Sequence, residues 1–496
     1  MATSSRAERA PASARGLGRR AFAAIGFSFI ASTAAKLLTM VSTFVLARLL
    51  TPSDFGIANL GTLALMFLLP LTDIGIAQAI IRTQATEIRR RALTAFWLVV
   101  LLGTGLYLAV FIGSVPVANF YGQPEIAPML RLISLAIILY SISRVPSAML
   151  ERDLRYGRKA IPEVTASFAY GVVAIILALL HFGFWSIVGA TLARSALLTI
   201  GVLVIGRWRP GLSFDLSVAH ELITYARLLM ATSVLRLIYT NVDNAIVGRA
   251  LGMSALGYYA MAYNLGNLPA IQVAGPLGAV LFPAYARMLP DLTRVRRATL
   301  RLLRVVALLM LPVTVIGVII SPSLVPLLVG AKWIPMTAAL QWLLLYGCFH
   351  ALGPIYWTLM LAADLNHVSL RINLASLALA LAAAIPIVAH FGITGIAAEF
   401  TGLELLRLLL MALAVRGRFE LRLGDQLRAL WPALRGSLLA GASLVALAAL
   451  RAPTTLTVAA LELMAATGIY LLYLLATGEL SRSQIEALKA LVGRGR

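Results

Sequence analysis

The feature that most constrains this chain is a succession of fourteen long apolar segments separated by short polar ones. A membrane-spanning helix needs about 20 mostly apolar residues, and each segment comes close to that length. Because lipid offers no hydrogen bonds to exposed backbone, segments that cross a bilayer in this way must be helical. The sequence therefore predicts an all-α polytopic membrane protein with about 14 transmembrane helices. They are expected near residues 21–47, 56–81, 92–113, 128–150, 164–181, 184–206, 220–247, 256–283, 302–320, 336–361, 370–389, 392–415, 434–450 and 454–477.

Composition excludes a soluble alternative. Hydrophobic residues make up 60% of the chain and charged residues 12%, against about 45–50% and about 25% in soluble domains. No polar stretch among the 496 residues is long enough to form a soluble domain. The single cysteine, Cys348, lies in an apolar run, so a disulfide within the chain is excluded. The first apolar segment is too long for a secretory signal peptide, and we expect it to be retained as the first helix.

The distribution of basic residues predicts the orientation. The formal net charge is +22. With helices alternating from a cytoplasmic N-terminus, 31 Lys and Arg residues fall on the cytoplasmic side, four on the other side and seven inside the helices. Cytoplasmic loops of membrane proteins are enriched in Lys and Arg. This bias predicts a multi-pass membrane protein with both termini in the cytoplasm, and it explains the charge without nucleic-acid binding.

The chain also repeats itself at an offset near 205 residues. Residues 46–56 resemble residues 247–257 at an offset of 201, and the His-Phe-Gly at 181–183 recurs at 390–392. The sequence thus predicts two pseudo-symmetric six-helix lobes in parallel orientation, plus two C-terminal helices. Transporters often bind their substrate between such repeats. The predicted domains are a basic cytoplasmic N-terminus (1–20), an N-lobe (21–210), a C-lobe (211–418), helices 13 and 14 (419–478) and a cytoplasmic tail (479–496).

Motifs for catalysis or metal binding are missing from the sequence. It contains no paired carboxylates, no Cys/His metal spacing, no nucleophile elbow and no phosphate loop. Neither a cofactor nor a metal is therefore expected, and the chain is predicted to be a transporter rather than an enzyme. The residues that point to function are the charges inside the helices. An Arg or Lys at the bilayer centre costs about 2.5–3.5 kcal/mol and usually faces the bundle interior or a water-filled cavity.

Two helices carry matching polar stripes. In helix 1, Lys36 is followed on the same face by Thr39 and Thr43, and in helix 7, Arg236 is followed by Thr240 and Asp243. The offset of 201 residues places Arg236 one position from the counterpart of Lys36. We therefore interpret these two cations as substrate-binding residues of a shared cavity for an anionic solute. Pairing of Arg236 with Asp243 is the structural alternative.

Three further arginines are candidates for the same cavity. Arg194 lies near the middle of helix 6. Arg131 and Arg144 lie nearer the ends of helix 4, where they could instead extend to the membrane interface.

Helix 12 and its neighbours hold the candidates for ion coupling or gating. Glu404 and Arg407 are three residues apart and could equally form a structural ion pair. Glu399, in the same helix, has no assigned role, and His350 is expected to be a satisfied polar side chain. Coupling to a proton or sodium gradient is plausible for a transporter of this kind. The candidates are Asp243, Glu404, Arg407 and, near the cytoplasmic end of helix 2, Asp73.

Several motifs resemble a known family. They run in order over roughly residues 20–430, and they resemble the Wzx-type oligosaccharide flippases of the multidrug/oligosaccharidyl-lipid/polysaccharide exporter superfamily. The segments that carry the resemblance are 46–56 (LARLLTPSDFG), 72–82 (TDIGIAQAIIR), 149–156 (MLERDLRY), 209–212 (RPGL), 257–264 (GYYAMAYN) and 281–285 (LFPAY).

The resemblance implies a fold and a function. It implies two six-helix lobes forming a V around a central cavity, often with two extra helices. It also implies the flipping of undecaprenyl-diphosphate-linked oligosaccharide repeat units for exopolysaccharide, O-antigen or capsule synthesis. Membrane lipid, a polysaccharide polymerase and chain-length proteins are the partners expected with that function. The family supplies no short catalytic motif, so the candidate site residues rest on the polar stripes alone.

Four other classes are alternatives. A multidrug exporter of the same superfamily would be expected to carry a carboxylate where helix 1 has Lys36. A lipid II-type flippase would also have a cationic cavity, and only the motifs favour the polysaccharide branch. A membrane glycosyltransferase or polymerase would need a sizeable loop or domain outside the membrane. A major-facilitator sugar transporter would need its signature at residues 82–91, which read RTQATEIRRR.

Overall fold

The computed structural model describes the backbone of residues 35–36, 38–73, 87–153, 155–450 and 455–479. Side chains are described for all of these except residues 73, 225–240, 274–276, 278–280 and 449–450. The first half of predicted helix 1, the end of predicted helix 2 and the predicted cytoplasmic tail from residue 480 onward lie outside the described residues. The side chains of Asp73 and Arg236, both predicted site residues, lie outside them as well.

All regular secondary structure in the described ranges is helical. We number thirteen α-helices in chain order. They are α1 (Leu38–Leu49), α2 (Pro52–Asp73), α3 (Ile88–Tyr121), α4 (Ile126–Ile133), α5 (Leu135–Arg152), α6 (Tyr156–Leu179), α7 (Trp185–Gly206), α8 (Leu216–Met288), α9 (Leu292–Leu328), α10 (Thr337–Ala362), α11 (Asn366–Arg416), α12 (Leu423–Leu450) and α13 (Leu456–Ala476). A 3-10 helix, Ala331–Met336, leads into α10.

Two of these helices are interrupted by glycine. Gly252 in α8 has φ of 83° and Gly392 in α11 has φ of 58°, which are left-handed values that side chains with a Cβ rarely adopt. Each glycine therefore divides one long element into two helices. In addition, α4 and α5 are separated by a single residue and form one apolar segment, Ile126–Arg152.

The described residues thus contain fourteen helical segments, as predicted. Ten helices among them are long and apolar enough to cross a membrane, judged by length and composition. The prediction of an all-α polytopic membrane protein is confirmed. The helices α12 and α13 are the two predicted C-terminal helices.

Contacts divide the chain into two compact units. Unit 1 comprises Met1–Thr51 and Ile57–Thr240, and unit 2 comprises Pro52–Gly56 and Asn241–Arg496. The division falls within α8, whereas the predicted lobes meet at residues 210–211. The predicted lobe boundaries therefore stay a prediction, separate from these units.

Unit 1 is built around α3, α5, α6 and α7. The connection between α7 and α8 is fixed to α3, because Trp97 Nε1 donates to the Gly211 carbonyl at 2.8 Å and the Asp215 amide donates to Thr94 Oγ1 at 3.1 Å. The Asp215 carboxylate caps α8 and accepts hydrogen bonds from the Ser217 hydroxyl and the Arg90 guanidinium. These bonds hold the pKa of Asp215 below its ordinary value.

Unit 2 has two apolar clusters. The larger one joins α9, α10 and α11, with fully buried side chains such as Ile355 and Met411. The smaller one fixes the two C-terminal helices to α9, and there the Tyr470 hydroxyl donates to the Leu308 carbonyl at 2.8 Å. The C-terminal helices are therefore an integral part of unit 2.

A reciprocal glycine contact lies at one edge of unit 2. A Cβ atom on Gly56 would lie 1.9 Å from the Met253 carbonyl oxygen, and one on Gly257 would lie 1.8 Å from the Pro52 carbonyl oxygen. Pro52 and Met253, like Gly56 and Gly257, differ by the 201 residues of the predicted repeat. The contact of Gly56 with Met253 thus has its counterpart in the contact of Gly257 with Pro52. Reciprocal contacts of this kind are typical of a two-fold interface. The symmetry of two complete lobes stays a prediction.

Replacing Gly257 by alanine is expected to destabilise this contact. The added methyl group would meet a backbone oxygen, which cannot rotate away, and overpacking of this kind costs about 1–3 kcal/mol. The measurement is thermal unfolding of the purified protein in detergent. Gly105→Ala in α3 is the matched control, because nothing lies within 4 Å of its Cβ position. Equal unfolding midpoints for Gly257→Ala and the wild type would contradict the close contact between the backbones at Gly257 and Pro52.

Candidate functional site

Lys36 is an exposed side chain of unit 1, two residues before α1. The hydroxyls of its predicted stripe are satisfied within their own helix. Thr39 Oγ1 donates to the Ala35 carbonyl and Thr43 Oγ1 to the Thr39 carbonyl, each at 2.9 Å. Hydroxyls that bond back to the preceding turn lower the polarity of a helix face. The charge of Lys36 is therefore the main polar feature of this stripe.

Arg194 lies at the tenth of the 22 residues of α7, close to mid-membrane depth, and it is exposed in unit 1. It interacts electrostatically with Tyr170 of α6. Neighbouring apolar residues of α7, such as Leu197 and Ile200, are exposed as well. An exposed arginine at this depth is costly in contact with lipid tails. The Arg194 side chain itself is therefore better suited to water or to a polar ligand than to lipid tails.

Arg131 and Arg144 have partners within unit 1. Arg131 Nε donates to Ser114 Oγ at 2.9 Å, and its guanidinium lies 4.6 Å from the centroid of the Phe111 ring. Arg144 lies 4.0 Å from Glu151, which also pairs with Lys159 at 2.7 Å. Arg131 thus joins α4 to α3, whereas the Arg144 contact lies within α5. Their predicted contribution to a cavity stays a prediction.

Asp243 is buried in unit 2, with 1% of its surface exposed. The Tyr259 hydroxyl donates to its Oδ2 at 2.7 Å, while the backbone amide and the side-chain amide of Asn244 donate to its Oδ1 at 2.8 and 3.1 Å. These donors are neutral. The alternative in which Arg236 pairs with Asp243 stays open, because the Arg236 side chain lies outside the described residues.

Glu404 forms the ion pair that the sequence allowed. It is 2% exposed, its Oε2 accepts a hydrogen bond from Arg407 Nε at 2.8 Å, and its Oε1 accepts a second one from the same guanidinium. His350 Nδ1 lies 3.1 Å from the same Oε1. A buried carboxylate with a two-point arginine partner has most of its charge compensated. The structural pairing of Glu404 and Arg407 is thus present, and so is the expected partner of His350.

Glu399 is the functional candidate that sequence reasoning left without a role. Both of its carboxylate oxygens are buried, and neither has a hydrogen-bond partner among the described residues. It lies close enough to Asp243 and Tyr259 to interact with both electrostatically. The sequence signal that could have identified Glu399 is a carboxylate within an apolar, membrane-spanning segment. Its neighbour Asp243 is far away in sequence, so only the folded structure reveals the pair.

Aromatic residues connect the two acidic positions of unit 2. Tyr259 interacts with Tyr263, whose ring centroid lies 5.8 Å from that of Tyr346. Tyr346 in turn stacks on His350, with centroids 5.4 Å apart and an interplanar angle of 14°. The polar groups therefore form a nearly continuous series from the Asp243 and Glu399 pair to Glu404. Such groups inside a membrane protein often mark a path for ions or protons.

No group of three or more His, Cys, Asp or Glu residues within the described part of the chain could hold a metal ion. The candidate residues of unit 1 are exposed cations. Those of unit 2 form a separate, buried polar series.

Comparison with known proteins identifies relatives that are named for polysaccharide biosynthesis or transport. Residues 45–338, more than half of the chain, match the family described as polysaccharide biosynthesis protein. The lipopolysaccharide biosynthesis protein WzxC of Escherichia coli K12 is 29% identical over 68% of this chain and 68% of its own length. The succinoglycan biosynthesis transport protein ExoT of Rhizobium meliloti 1021 is 26% identical over 62% of each chain. The resemblance carried by the sequence motifs is confirmed.

Solved structures show the same fold at low sequence identity. The lipid II flippase MurJ, in an inward closed conformation, superimposes with a TM-score of 0.71 at 14% identity, covering 93% of this chain and all of that one. An inward-facing multidrug resistance transporter of the MATE family gives 0.61 at 13% identity, covering 79% and 98%. These likenesses concern the fold alone.

Proposed function

Because the chain belongs to the family of polysaccharide biosynthesis proteins, we propose that it flips undecaprenyl-diphosphate-linked oligosaccharide repeat units across the bacterial inner membrane. The flipped units would feed exopolysaccharide, O-antigen or capsule synthesis. The protein would act as a transporter by alternating access and not as an enzyme. A polysaccharide polymerase and chain-length proteins would take up its product. The predicted orientation, with both termini in the cytoplasm, is part of this proposal.

The observation that carries the proposal is the exposed Arg194 at mid-membrane depth in unit 1. A diphosphate is a compact anion with several acceptor oxygens, and a guanidinium donates to such groups in a fixed fork geometry. The exposed Lys36 of the same unit adds a second positive charge. Cations of this kind favour an anionic head group over the cationic drugs of a multidrug exporter.

A lipid II-type flippase is the second candidate. It is favoured by the fold likeness to the lipid II flippase MurJ, which extends over 93% of this chain. Lipid II and a lipid-linked repeat unit present the same diphosphate, so cations in a cavity cannot separate them. The two candidate substrates differ in their sugar part, so a test must compare transport of the two sugars.

The experiment that separates these candidates is flipping in proteoliposomes. The purified full-length protein is reconstituted with an undecaprenyl-diphosphate-linked oligosaccharide or with lipid II, and outward exposure of each sugar is measured over time. The proposal predicts faster exposure of the oligosaccharide than in protein-free vesicles and little effect on lipid II. The reverse result would support the second candidate, and no effect on either would contradict both.

Coupling to a proton or sodium gradient belongs to the same proposal. Of the carboxylates predicted for it, Glu404 already has Arg407 as its counter-ion. Asp243 has only neutral donors among the described side chains, and Glu399 lies close by without a hydrogen-bond partner there. Two negative charges close together in a water-poor site repel strongly. A proton or a sodium ion bound to this pair would relieve that repulsion, which makes the pair the better coupling site.

Neutralising the pair is expected to uncouple transport. Asp243→Asn or Glu399→Gln should remove the acceleration of flipping by an imposed gradient while leaving flipping down the substrate gradient intact. The measurement is the flipping rate in proteoliposomes with and without a proton or sodium gradient. Glu462→Gln is the matched control, since Glu462 lies in α13 outside the two predicted lobes. Gradient acceleration that survives in both pair variants would contradict this role.

A further inference from the structure

The starting segment of α9 carries a row of arginines on one face. The helix has 37 residues and is about 55 Å long, so it exceeds the hydrocarbon core of about 30 Å by a wide margin. Its first turns hold five arginines, and they fall into two groups. Arg296 pairs with Asp425 at 2.7 Å and Arg304 pairs with Glu479.

The other three arginines have no such partners among the described residues. Arg294, Arg297 and Arg301 are exposed, and none of them forms an ion pair with a carboxylate of the described residues. They follow each other at spacings of three and four residues and so lie on one side of the helix. The opposite side is buried in unit 2, where Val295 and Leu303 are 0% and 1% exposed. The orientation of the helix is therefore fixed, and the three guanidinium groups face outward.

Two exposed aliphatic side chains follow next to the arginine face in the C-terminal direction. Val305 and Leu309 are four residues apart and are 40% and 55% exposed. In a membrane-spanning helix, exposed aliphatic side chains of this kind contact lipid tails. Arg301 lies about 6 Å along the axis from Val305 and Arg297 about 12 Å. Side chains on a helix point toward its N-terminus, so both guanidiniums extend from the tails toward the head groups.

We propose that Arg297 and Arg301, with Arg294, bind the phosphate groups of anionic phospholipids whose tails lie on Val305 and Leu309. The charges are complementary, and the acyl chains and the phosphate of one lipid would be bound by consecutive turns of one helix. Arginine binds phosphate through paired hydrogen bonds, and each basic residue near an anionic membrane surface strengthens binding about fivefold. The occupant is a bilayer phospholipid, because exposed arginines lie next to exposed aliphatic side chains that suit acyl chains. This inference is independent of the proposed transport function.

The test titrates phosphatidylglycerol or phosphatidylcholine into the purified full-length protein in detergent and follows thermal unfolding. Phosphatidylglycerol should raise the unfolding midpoint of the wild type, and phosphatidylcholine should raise it much less. In Arg297→Gln/Arg301→Gln, the phosphatidylglycerol concentration for half of the effect should increase about thirtyfold. Arg297→Lys/Arg301→Lys keeps the charge and should retain most of the preference.

The matched control is Arg207→Gln/Arg209→Gln. Both residues are exposed and lie in the connection after α7, not on a helix face above aliphatic residues. This control removes the same charge and should respond to phosphatidylglycerol as the wild type does. An unchanged response of the Arg297/Arg301 variant, or an equal loss in the control, would overturn the proposal. So would stabilisation by a polyprenyl diphosphate at far lower concentration than phosphatidylglycerol, because the face would then bind a lipid diphosphate.

Discussion

Glu404→Gln is expected to lower the stability of unit 2 by about 3–5 kcal/mol, the usual cost of removing one partner of a buried ion pair. The substitution leaves the Arg407 guanidinium, 13% exposed, without its counter-charge. The contact of His350 with residue 404 would weaken at the same time, because an amide oxygen carries no full negative charge. Transport would fall only in proportion to the loss of folded protein. The measurement is thermal unfolding in detergent, together with the amount of protein in the membrane.

A double substitution distinguishes a structural pair from a coupling site. Glu404→Leu/Arg407→Leu removes both charges and fills a similar volume, so it should recover most of the stability that Glu404→Gln loses. Glu462→Gln in α13 is the control for loss of a carboxylate from an apolar helix. A Glu404→Gln protein as stable as the wild type, but insensitive to an ion gradient, would contradict the structural interpretation and make Glu404 the coupling residue.

The sequence predicts the fold well because its strongest signals are local. Apolar length gives the helices, and Gly252 and Gly392 divide α8 and α11 near the predicted turns. The pairing of Glu404 with Arg407 also follows from local spacing. The 201-residue offset is reflected in the contact of Gly56 with residues near Gly257, although neither sequence motif indicates such a close approach.

The candidate site is less accessible to sequence reasoning because its partners are distant in the chain. Asp243 and Glu399 are 156 residues apart, and only tertiary packing brings them together. The partner of Arg131 is Ser114 of the preceding helix, which helical periodicity within one segment cannot show. Conversely, the hydroxyls of Thr39 and Thr43 look like part of a binding stripe until their bonds to their own helix are seen.

Removing the exposed cations of unit 1 is expected to have the largest effect on export. A hydrogen bond between a guanidinium or ammonium and a phosphate contributes about 1.5–3 kcal/mol, which corresponds to a roughly ten- to hundredfold change in binding. Arg194→Ala and Lys36→Ala should each reduce polysaccharide export by a factor in this range. Stability should change little, because Arg194 is exposed and a neutral residue at that depth costs less to insert into the membrane.

The measurement is exported polysaccharide in a strain lacking the gene, complemented with each variant at matched protein levels. Arg194→Lys should retain part of the export, since it keeps the charge and loses the two-point geometry. Arg207→Ala, an exposed arginine just beyond the end of α7, is the control and should export normally. If both Arg194→Ala and Lys36→Ala export at the wild-type level, these cations do not bind the diphosphate. The anionic head group would then require another site, and Arg236 would be the first to examine, because the sequence places it one position from the counterpart of Lys36 in the second repeat.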